Sequence, residues 1–349
     1  MPEDATDDAG RRLRRPPVMA DVAVRAGVSH QTVSRVVNGS PAVSEATRQR
    51  VVAAMHELRY RPNASAQALK RRRTRTVGVV CSDTTLYGPA STLFGLEAAA
   101  RAAGYSVRIA SLRELDADSV QDALDFLAQQ AVDGVAVIAP QRSAVDALAK
   151  ARPEVPAVVV EGDATGVFAT ARVDQVLGGR LATQYLIRLG HETVRHLAGP
   201  VDWLEAEGRE HGWATALRES GRTLPPVLRG DWSPRSGYEA GKLLSGDGDV
   251  TAVFVANDQM ALGVLRAFRE AGVSVPEDVS IVGFDDIPEA DFFPPPLTTV
   301  RQDFAELGRR CLALLLTAMS DDPDPDAAAV IAPQLVVRQS TAPPRILRS

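Results

Sequence analysis

The feature that most constrains this chain is a long alternation of two kinds of segment, which begins at Thr76. Short runs of β-branched residues alternate with longer segments rich in alanine and leucine. This alternation predicts parallel strands whose connecting helices cover both faces of a sheet. The predicted strands are Val77–Cys81, Ser106–Ala110, Val135–Ile138, Ala157–Val160, Val194–Leu197, Ala252–Ala256 and Ile281–Phe284.

The segments between these strands have the composition and period of helices. About ten strands would be many for one open sheet, so the alternation predicts two doubly wound, parallel-sheet α/β lobes. The predicted helices are Phe94–Ala103, Ser119–Gln130, Leu177–Arg188, Arg209–Glu219, Arg235–Leu244, Met260–Ala271 and Phe304–Met319.

The segment Met19–Asn38 has the layout of a helix-turn-helix. Asp21–Ala26 fits a short helix, Gly27 can adopt the positive φ of a turn, and Ser29 is a good N-cap for a second helix. An ordinary amphipathic helix would show the same period, but the glycine, the cap and an arginine at this spacing favour a helix that reads DNA. Its core-facing residues are Val33, Val36 and Val37, and its groove-facing residues are Gln31, Thr32, Ser34, Arg35 and Asn38.

A third helix is predicted from Glu45 to Leu58, and an arginine-rich linker follows it. Residues 1–75 contain 15 Lys and Arg against 7 Asp and Glu, whereas the net charge of the whole chain is −5. A basic module on an acidic body suits a polyanionic partner at one end, although a solvated basic tail would have the same composition. The predicted inner face of the third helix is Val51, Val52, Met55 and Leu58.

Several further blocks, together with the helix-turn-helix, resemble the lactose-repressor family of bacterial transcription regulators. The resemblance covers about residues 18–340. It implies an all-α headpiece joined by a hinge to a two-lobed, periplasmic-binding-protein-like effector domain, with crossings between the lobes near Val173, Pro296 and Gln334. The blocks are Ser44–Arg48, Tyr60–Asn63, LGH (189–191), LAGP (197–200), GDWS (230–233), VANDQMALG (255–263), VGFDD (282–286) and PPLTTVRQDF (295–304).

The resemblance also implies site residues. In the family, a hinge leucine wedges into the minor groove, which kinks DNA by unstacking a base step, and Leu69 matches it with Ala66 beside it. The implied DNA contacts are Ser29, His30, Gln31, Thr32, Ser34, Arg35, Asn38, Asn63, Ala66 and Leu69. The implied effector contacts are Leu86, Glu161, Arg209, Trp232, Asn257, Asp285, Gln302 and Phe304.

Polar residues follow several predicted strands, and ligands of open α/β sheets bind at the carboxyl ends of strands. Asp, Asn and Arg side chains can bind the hydroxyls of a sugar, and an aromatic ring can stack on its C–H face. Glu161 stands where the resemblance implies the shorter aspartate, and Glu205 stands where it implies serine. Trp203 adds bulk to the same loop. These departures affect the expected identity of the sugar more than the expectation that the ligand is a sugar.

Other functional classes are disfavoured. The sequence has no GxGxxG, no phosphate-binding loop and no metal-ligand spacing, so neither an enzyme nor a cofactor or metal is expected. It has no apolar run long enough for a membrane span and no apolar signal core. Cys81 and Cys311 are the two cysteines, which fits a reducing cytoplasm.

The sequence thus predicts a cytoplasmic, homodimeric repressor that a small carbohydrate releases from a palindromic DNA operator. Two alternatives stay open: a family member that uses a purine or phosphorylated corepressor, and a soluble sugar-binding protein without a DNA role. The predicted domains are a disordered tail (1–17), a headpiece (18–60), a hinge helix and linker (61–76), a two-lobed effector and dimerisation domain (77–342) and a tail (343–349).

Overall fold

The computed structural model describes residues 15, 17–61, 73–82, 84–112, 116–151, 153–162, 167–320 and 322–345. The chain divides into two compact units, Met1–Thr74 and Arg75–Ser349. In the described residues the smaller unit is helical, and the larger unit contains strands and helices in alternation.

The smaller unit has three described helices, α1 (Met19–Ala26), α2 (His30–Val37) and α3 (Glu45–Glu57). Helix α1 ends at Gly27, whose φ of 65° is readily adopted by glycine. Helix α2 begins after Ser29, whose hydroxyl accepts a hydrogen bond from the Thr32 N–H at 3.1 Å. The predicted helix-turn-helix is therefore present, with a small core of aliphatic side chains such as Val22, Val33, Val36, Val51 and Ala54.

One predicted core residue of this unit is wrong. Val52 is 52% exposed, whereas its neighbour Val51 is fully buried. Successive helical residues lie 100° apart around the axis, so α3 cannot bury both against α1 and α2. Ala54 takes the second buried position, while Met55 and Leu58 are partly buried and pack on this core as predicted.

The larger unit contains two lobes, each with its own six-stranded sheet. The sheet of the first lobe has the order β11-β5-β4-β3-β1-β2, and all of its pairs are parallel. The strands are β1 (Thr76–Ser82), β2 (Ser106–Leu112), β3 (Gly134–Ile138), β4 (Ala157–Val160), β5 (Ala169–Val173) and β11 (Ala328–Ile331). The helices are α4 (Tyr87–Ala102), α5 (Ala117–Gln129), α6 (Arg142–Ala151) and α11 (Phe304–Ala318).

The second lobe has the order β12-β10-β9-β8-β6-β7, in which β12 alone is antiparallel to its neighbour. Its strands are β6 (Arg195–Ala198), β7 (Leu228–Arg229), β8 (Ala252–Val255), β9 (Ser280–Asp285), β10 (Thr298–Arg301) and β12 (Gln334–Val336). Its helices are α7 (Gln175–Arg188), α8 (Leu204–Glu219), α9 (Pro234–Ser245) and α10 (Asp258–Glu270).

Each sheet is covered on both faces, which confirms the predicted doubly wound lobes. In the first lobe, Leu96 of α4 and Leu307 of α11 belong to the core on one face of the sheet, and Leu124 of α5 and Leu148 of α6 belong to the core on the other. The second lobe is built in the same way, with α7 and α8 contributing to one core and α9 and α10 to the other.

The chain crosses between the lobes three times. It crosses between β5 and α7, and again between β11 and β12, as predicted near Val173 and Gln334. The crossing predicted near Pro296 is wrong, because Pro296 precedes β10, which still belongs to the second sheet. The chain leaves that lobe only after Arg301, so Gln302 lies in the crossing segment itself.

Short or atypical elements were absent from the predicted set. Helix α6 and strands β5, β7, β10, β11 and β12 are of this kind. Helix α4 begins at Tyr87 rather than Phe94, because Gly88 and Pro89 interrupt its apolar pattern but are tolerated in a first turn. Helix α8 likewise begins at Leu204, five residues before the predicted start.

Candidate functional site

Helix α2 presents an exposed polar face. Ser29, His30, Gln31 and Arg35 are exposed, whereas Val33 and Val36 on the opposite side are buried. Gln31 and Arg35 are four residues apart, so their side chains lie on the same face, one turn after the other. This face can present an amide and a guanidinium to base edges, the two groups that pair with adenine and guanine in the major groove.

The other predicted DNA contacts on α2 have partners within the helix. The Thr32 hydroxyl lies 2.9 Å from the Ser29 hydroxyl at the N-cap. The Asn38 side-chain amide donates to the Ser34 carbonyl at 2.6 Å and lies 3.3 Å from its hydroxyl. Thr32, Ser34 and Asn38 are half-buried, so the more accessible members of the set on this helix and its N-cap are Ser29, His30, Gln31 and Arg35. Asn63, Ala66 and Leu69 lie outside the described residues.

A cavity of about 250 Å³ lies between the two lobes of the larger unit. The first lobe contributes the turn before α4 and its first residues, and the second lobe contributes the residues that follow its strands. The lining residues are Thr85, Leu86, Tyr87, Gly88, Pro89, Trp203, Glu205, Arg209, Trp232, Ser233, Pro234, Asn257, Gln259 and Asp285.

Arg209, on α8, is the buried cation of this cavity. Its Nε donates to Gln175 Oε1 at 2.9 Å, and its Nη1 donates to the Ala256 carbonyl at 2.5 Å. Its Nη2 lies 3.6 Å from Asp285 Oδ1 and 4.0 Å from Glu205 Oε2. Both distances exceed that of a good hydrogen bond, so Nη2 retains its capacity to donate to a ligand.

A buried hydrogen-bond network connects this arginine with two of the crossing segments. Gln175, at the first crossing, donates to Gln302 Oε1 at 2.9 Å and to Glu161 Oε2 at 3.4 Å. Gln302, at the second crossing, donates to Asp285 Oδ1 at 2.8 Å. The network therefore reaches from the first lobe, through both crossings, to the end of β9.

Three buried carboxyl groups share the single guanidinium of Arg209. Burial, together with the nearby charge of Glu205, raises the pKa of Glu161 to about 8. Burial also raises the pKa of Glu205 to about 7 and that of Asp285 to about 6, although Arg209 opposes both shifts. At neutral pH Glu161 is thus mostly protonated and Asp285 mostly ionised.

Backbone strain is concentrated at the same site. Glu161, Trp232 and Asp285 have φ values of 59°, 71° and 107°, in the left-handed half of the φ range that non-glycine residues seldom occupy. Such a conformation costs about 1–3 kcal/mol per residue and is characteristic of ligand sites. Packing fixes the Trp232 ring, which lies against Gly199, where a Cβ would come within 2.2 Å of it.

Five of the eight predicted effector contacts line the cavity between the lobes. They are Leu86, Arg209, Trp232, Asn257 and Asp285. Asn257 also has a structural role, because its side chain caps α10 by accepting from Met260 N and donates to the Trp232 carbonyl.

The other three predicted contacts do not line this cavity. Glu161 lines an adjoining cavity of about 180 Å³, which shares Glu205 with the first. Gln302 acts on Asp285 through its hydrogen bond. Phe304 makes an edge-to-face contact with Tyr87, with ring centroids 5.8 Å apart.

The predicted set lacked several residues of the site, among them Tyr87 and Gln175. Tyr87 lines the cavity at the start of α4, and Gln175 bonds with Arg209, Gln302 and Glu161. Gln175 lies just beyond the predicted crossing at Val173, so its position next to a crossing segment was the available signal. Glu205 and Trp203, recognised in the sequence as departures from the family pattern, both line the cavity.

The described residues contain neither of two other kinds of site, a membrane span or a metal site. No helix in this part of the chain is long and apolar enough to cross a membrane. Within the same residues, no group of three or more histidine, cysteine, aspartate or glutamate side chains could hold a metal ion.

A helix-turn-helix with an exposed polar face and a two-lobed domain with a cavity between its lobes together define a ligand-responsive DNA-binding regulator. Comparison with known proteins agrees with this class. Residues 18–63 match the model of the bacterial regulatory proteins of the lacI family, and residues 183–341 match that of the periplasmic binding protein-like domain.

Among curated relatives, the lactose operon repressor of Escherichia coli (strain K12) is 36% identical over 307 residues, which are 86% of this chain and 84% of the relative. The transcriptional repressor PurR of Pasteurella multocida (strain Pm70) is 34% identical over 326 residues, which are 92% of this chain and 97% of the relative. The chain belongs to the lacI family, and it is a DNA-binding transcription regulator rather than an enzyme.

Solved structures give the same result. The lac repressor dimer bound to operator and the anti-inducer ONPF matches with a TM-score of 0.81 and 34% identity, covering 94% of this chain and all of that one. The complex of the transcriptional regulator CelR with cellobiose matches with a TM-score of 0.68 and 35% identity, covering 93% of this chain and 99% of that one. These matches confirm the predicted fold class.

Proposed function

We propose that this chain is a homodimeric, cytoplasmic repressor that leaves a palindromic operator when a small carbohydrate binds between the lobes of its larger unit. The observation that carries the proposal is the cavity of about 250 Å³, in which an aromatic ring, a guanidinium, an amide and a carboxylate converge. Such a combination binds and orients vicinal hydroxyls without performing chemistry on them. The related CelR regulator has been solved with cellobiose.

The polar groups of the cavity have defined roles in this proposal. Arg209 Nη2 and Asp285 bind sugar hydroxyls as donor and acceptor. Trp232 supplies a stacking surface, and its indole N–H, which has no hydrogen-bond partner among the described residues, is available to a ligand oxygen. Glu161, Gln302 and Phe304 hold the residues that line the cavity in place.

On the DNA side, Gln31 and Arg35 read base edges from the exposed face of α2. The remaining predicted contacts of α2 bind phosphates or support the helix. Of the predicted hinge contacts, which lie outside the described residues, Leu69 is the one expected to wedge into the minor groove, with Ala66 beside it. One recognition helix reads only a few base pairs, so a second copy of the chain binds the next half-site about one helical turn away. Arg35→Ala is expected to relax specificity at one position of each half-site and to cost about 1–3 kcal/mol.

A purine or phosphorylated corepressor is the second candidate, since PurR repressors are among the relatives. The charges of the cavity disfavour a phosphate, because Glu205 and Asp285 line it together with a single arginine. Desolvating a phosphate next to a buried carboxylate is unfavourable.

The test begins with operator selection from a randomised palindromic library, followed by release assays with a panel of sugars. Asp285→Asn keeps the size of the side chain but removes its charge, and charge-assisted hydrogen bonds are about twice as strong as neutral ones. We expect this variant to bind operator and to remain bound when the effective sugar is added, with a reduced sugar affinity in calorimetry. Normal release with unaltered sugar affinity would place the effector elsewhere.

A further inference from the structure

The cavity contains more negative charge than a neutral sugar requires. Glu205 is 6% exposed and lines both the main cavity and the adjoining one. Its carboxylate accepts no hydrogen bond from the described residues, and its contact with Arg209 is long, at 4.0 Å. A buried carboxylate without a hydrogen-bond donor is unfavourable in the empty cavity, so this group is poised to accept from a ligand.

Arg209 cannot donate a good hydrogen bond to the Glu205 carboxylate in addition to those it makes with its other partners. Two of its three nitrogens donate to Gln175 and to the Ala256 carbonyl, and its remaining nitrogen lies closer to Asp285 than to Glu205. One cation therefore serves both carboxyl groups of the main cavity, Asp285 and Glu205. A second positive charge next to Glu205 would balance the remaining negative charge of the cavity.

The aromatic residues that line the cavity with Glu205 also favour a positively charged group. Trp203 precedes α8 by one residue and packs edge-to-face on Trp232, with centroids 5.5 Å apart. Tyr87 lines the same cavity from the other lobe. Aromatic faces attract ammonium groups through the ring quadrupole, and they do so most strongly where water is excluded.

We propose that the effector is a cationic carbohydrate, an amino sugar whose ammonium group binds Glu205 between Trp203 and Tyr87 while its hydroxyls bind Arg209, Asn257 and Asp285. This inference rests on the proposed function and names the chemical class of its ligand. An ammonium group donates up to three hydrogen bonds, which suits a carboxylate that lacks donors. It also explains a glutamate at a position where the resemblance to the lactose repressor implies the shorter, neutral serine.

The test compares matched sugars by calorimetry with the full-length protein. Glucosamine and galactosamine are each compared with glucose and galactose, which have a hydroxyl in place of the amine, and with the N-acetyl forms, in which the amine is a neutral amide. The amine of at least one pair is expected to bind about tenfold or more tightly than both neutral counterparts, since hydrogen bonds to charged groups are the stronger ones. The same sugar should release the operator.

Glu205→Gln is expected to abolish that preference, so that amine and hydroxyl forms bind within about twofold of each other. Glu192→Gln removes an exposed carboxylate of the same lobe and serves as the matched control, with the preference retained. A second readout does not depend on any variant. At pH 6.5, titrations of the wild type in two buffers of different ionisation enthalpy should show net proton release for the amine, because a bound cation ionises Glu205.

The outcomes separate the two proposals. Neutral sugars that bind as tightly as their amines would overturn the cationic effector while leaving a sugar-released repressor in place. An amine preference that persists in Glu205→Gln would assign the charge to another residue and overturn the role of Glu205. If none of the sugars binds or releases the operator, both proposals fail.

Discussion

The two lobes of the larger unit have the same topology but bury different charged side chains. Taken in the order of their sheets, β2-β1-β3-β4-β5-β11 of the first lobe corresponds strand for strand to β7-β6-β8-β9-β10-β12 of the second. In each lobe the helix after the first strand packs on the helix that follows a crossing, α4 on α11 and α8 on α7. The sequence has no evident internal repeat. The two lobes therefore share a backbone topology but not a set of side chains.

A close helix contact through glycine is also repeated in the two lobes. A Cβ on Gly95 of α4 would come within 2.2 Å of the Phe304 carbonyl oxygen, and a Cβ on Gly308 of α11 would come within 2.2 Å of Gly95. In the second lobe, a Cβ added to Gly212 of α8 or to Gly179 of α7 would come equally close to the partner backbone, at 2.1 and 2.2 Å. Both lobes thus use a glycine pair to bring these helices together.

The difference lies in the buried charges. Among the described residues, the first lobe buries Glu161, whereas the second buries Glu205, Arg209, Asp258 and Asp285. Asp258 is held by Thr299 and by the backbone of Ile287, and burial raises its pKa well above the usual value. The comparison shows that the two lobes share a backbone topology but differ in the charged side chains that they bury.

The largest expected effect comes from removing the buried cation. Arg209→Met should lower the free energy of unfolding by about 3–5 kcal/mol, because breaking a buried ion pair leaves uncompensated carboxylates. Urea unfolding measures this loss. Arg218→Met, at an exposed position of the same helix, is the control and should stay within about 0.5 kcal/mol of the wild type. A small effect at Arg209 would mean that the three carboxyl groups are neutral without it.

The second prediction tests whether the lobes are equivalent in their helix packing. Gly308→Ala and Gly212→Ala should each destabilise the protein by up to about 3 kcal/mol, because the added methyl group meets backbone that cannot move aside. Gly88→Ala adds the same group in the first turn of α4, where nothing lies within 4 Å, and should be neutral or slightly stabilising. Loss of stability from only one of the two buried changes would limit the correspondence to topology.

The third prediction uses the buried acids, which make stability depend on pH. Glu161 and Glu205 have folded-state pKa values raised to about 8 and 7, so between pH 6.5 and 8 the folded state binds more protons than the unfolded state. Stability should therefore fall as the pH rises through this window, by about 2 kcal/mol. Glu161→Gln should remove most of this fall, since the glutamine can still accept from Val173 N.

A histidine of the second lobe gives a contribution of opposite sign at lower pH. His196 is stacked on Phe254 and Trp213, and burial lowers its pKa to about 4. Its unfolded state therefore binds more protons between about pH 4 and 6.5, and its contribution to stability is lost as the pH falls through that window. Below about pH 6.5 this contribution opposes that of the buried glutamates, whose ordinary pKa is 4.5, so denaturant titrations of Glu161→Gln beside the wild type are needed to resolve it. A flat wild-type profile between pH 6.5 and 8 would contradict the buried-acid assignment.

The fold was largely predictable because its signals are local. Strands such as Ala157–Val160 are short apolar runs between turn residues, and Ser29 with Gly27 defines the turn before α2. The site was predictable only in part. Glu161 and Asp285 follow strands and could be recognised, but the network that connects them runs through Gln175 and Gln302, which are 127 residues apart in sequence.

The smallest expected effect concerns a direct contact between the two lobes. The Ser143 hydroxyl of α6 donates to Asp202 Oδ2 at 2.6 Å, and the Arg142 backbone N–H donates to the Asp202 carbonyl at 3.0 Å. Asp202 directly precedes Trp203, which lines the cavity. Ser143→Ala removes one partly exposed hydrogen bond and should cost about 0.5–1 kcal/mol. If this contact belongs to the ligand-bound arrangement of the lobes, effector affinity falls by about two- to fivefold in proportion. Ser245→Ala, which removes a hydroxyl bonded within its own helix, is the control, and equal effector affinity in the two variants would show that the contact is indifferent to the ligand.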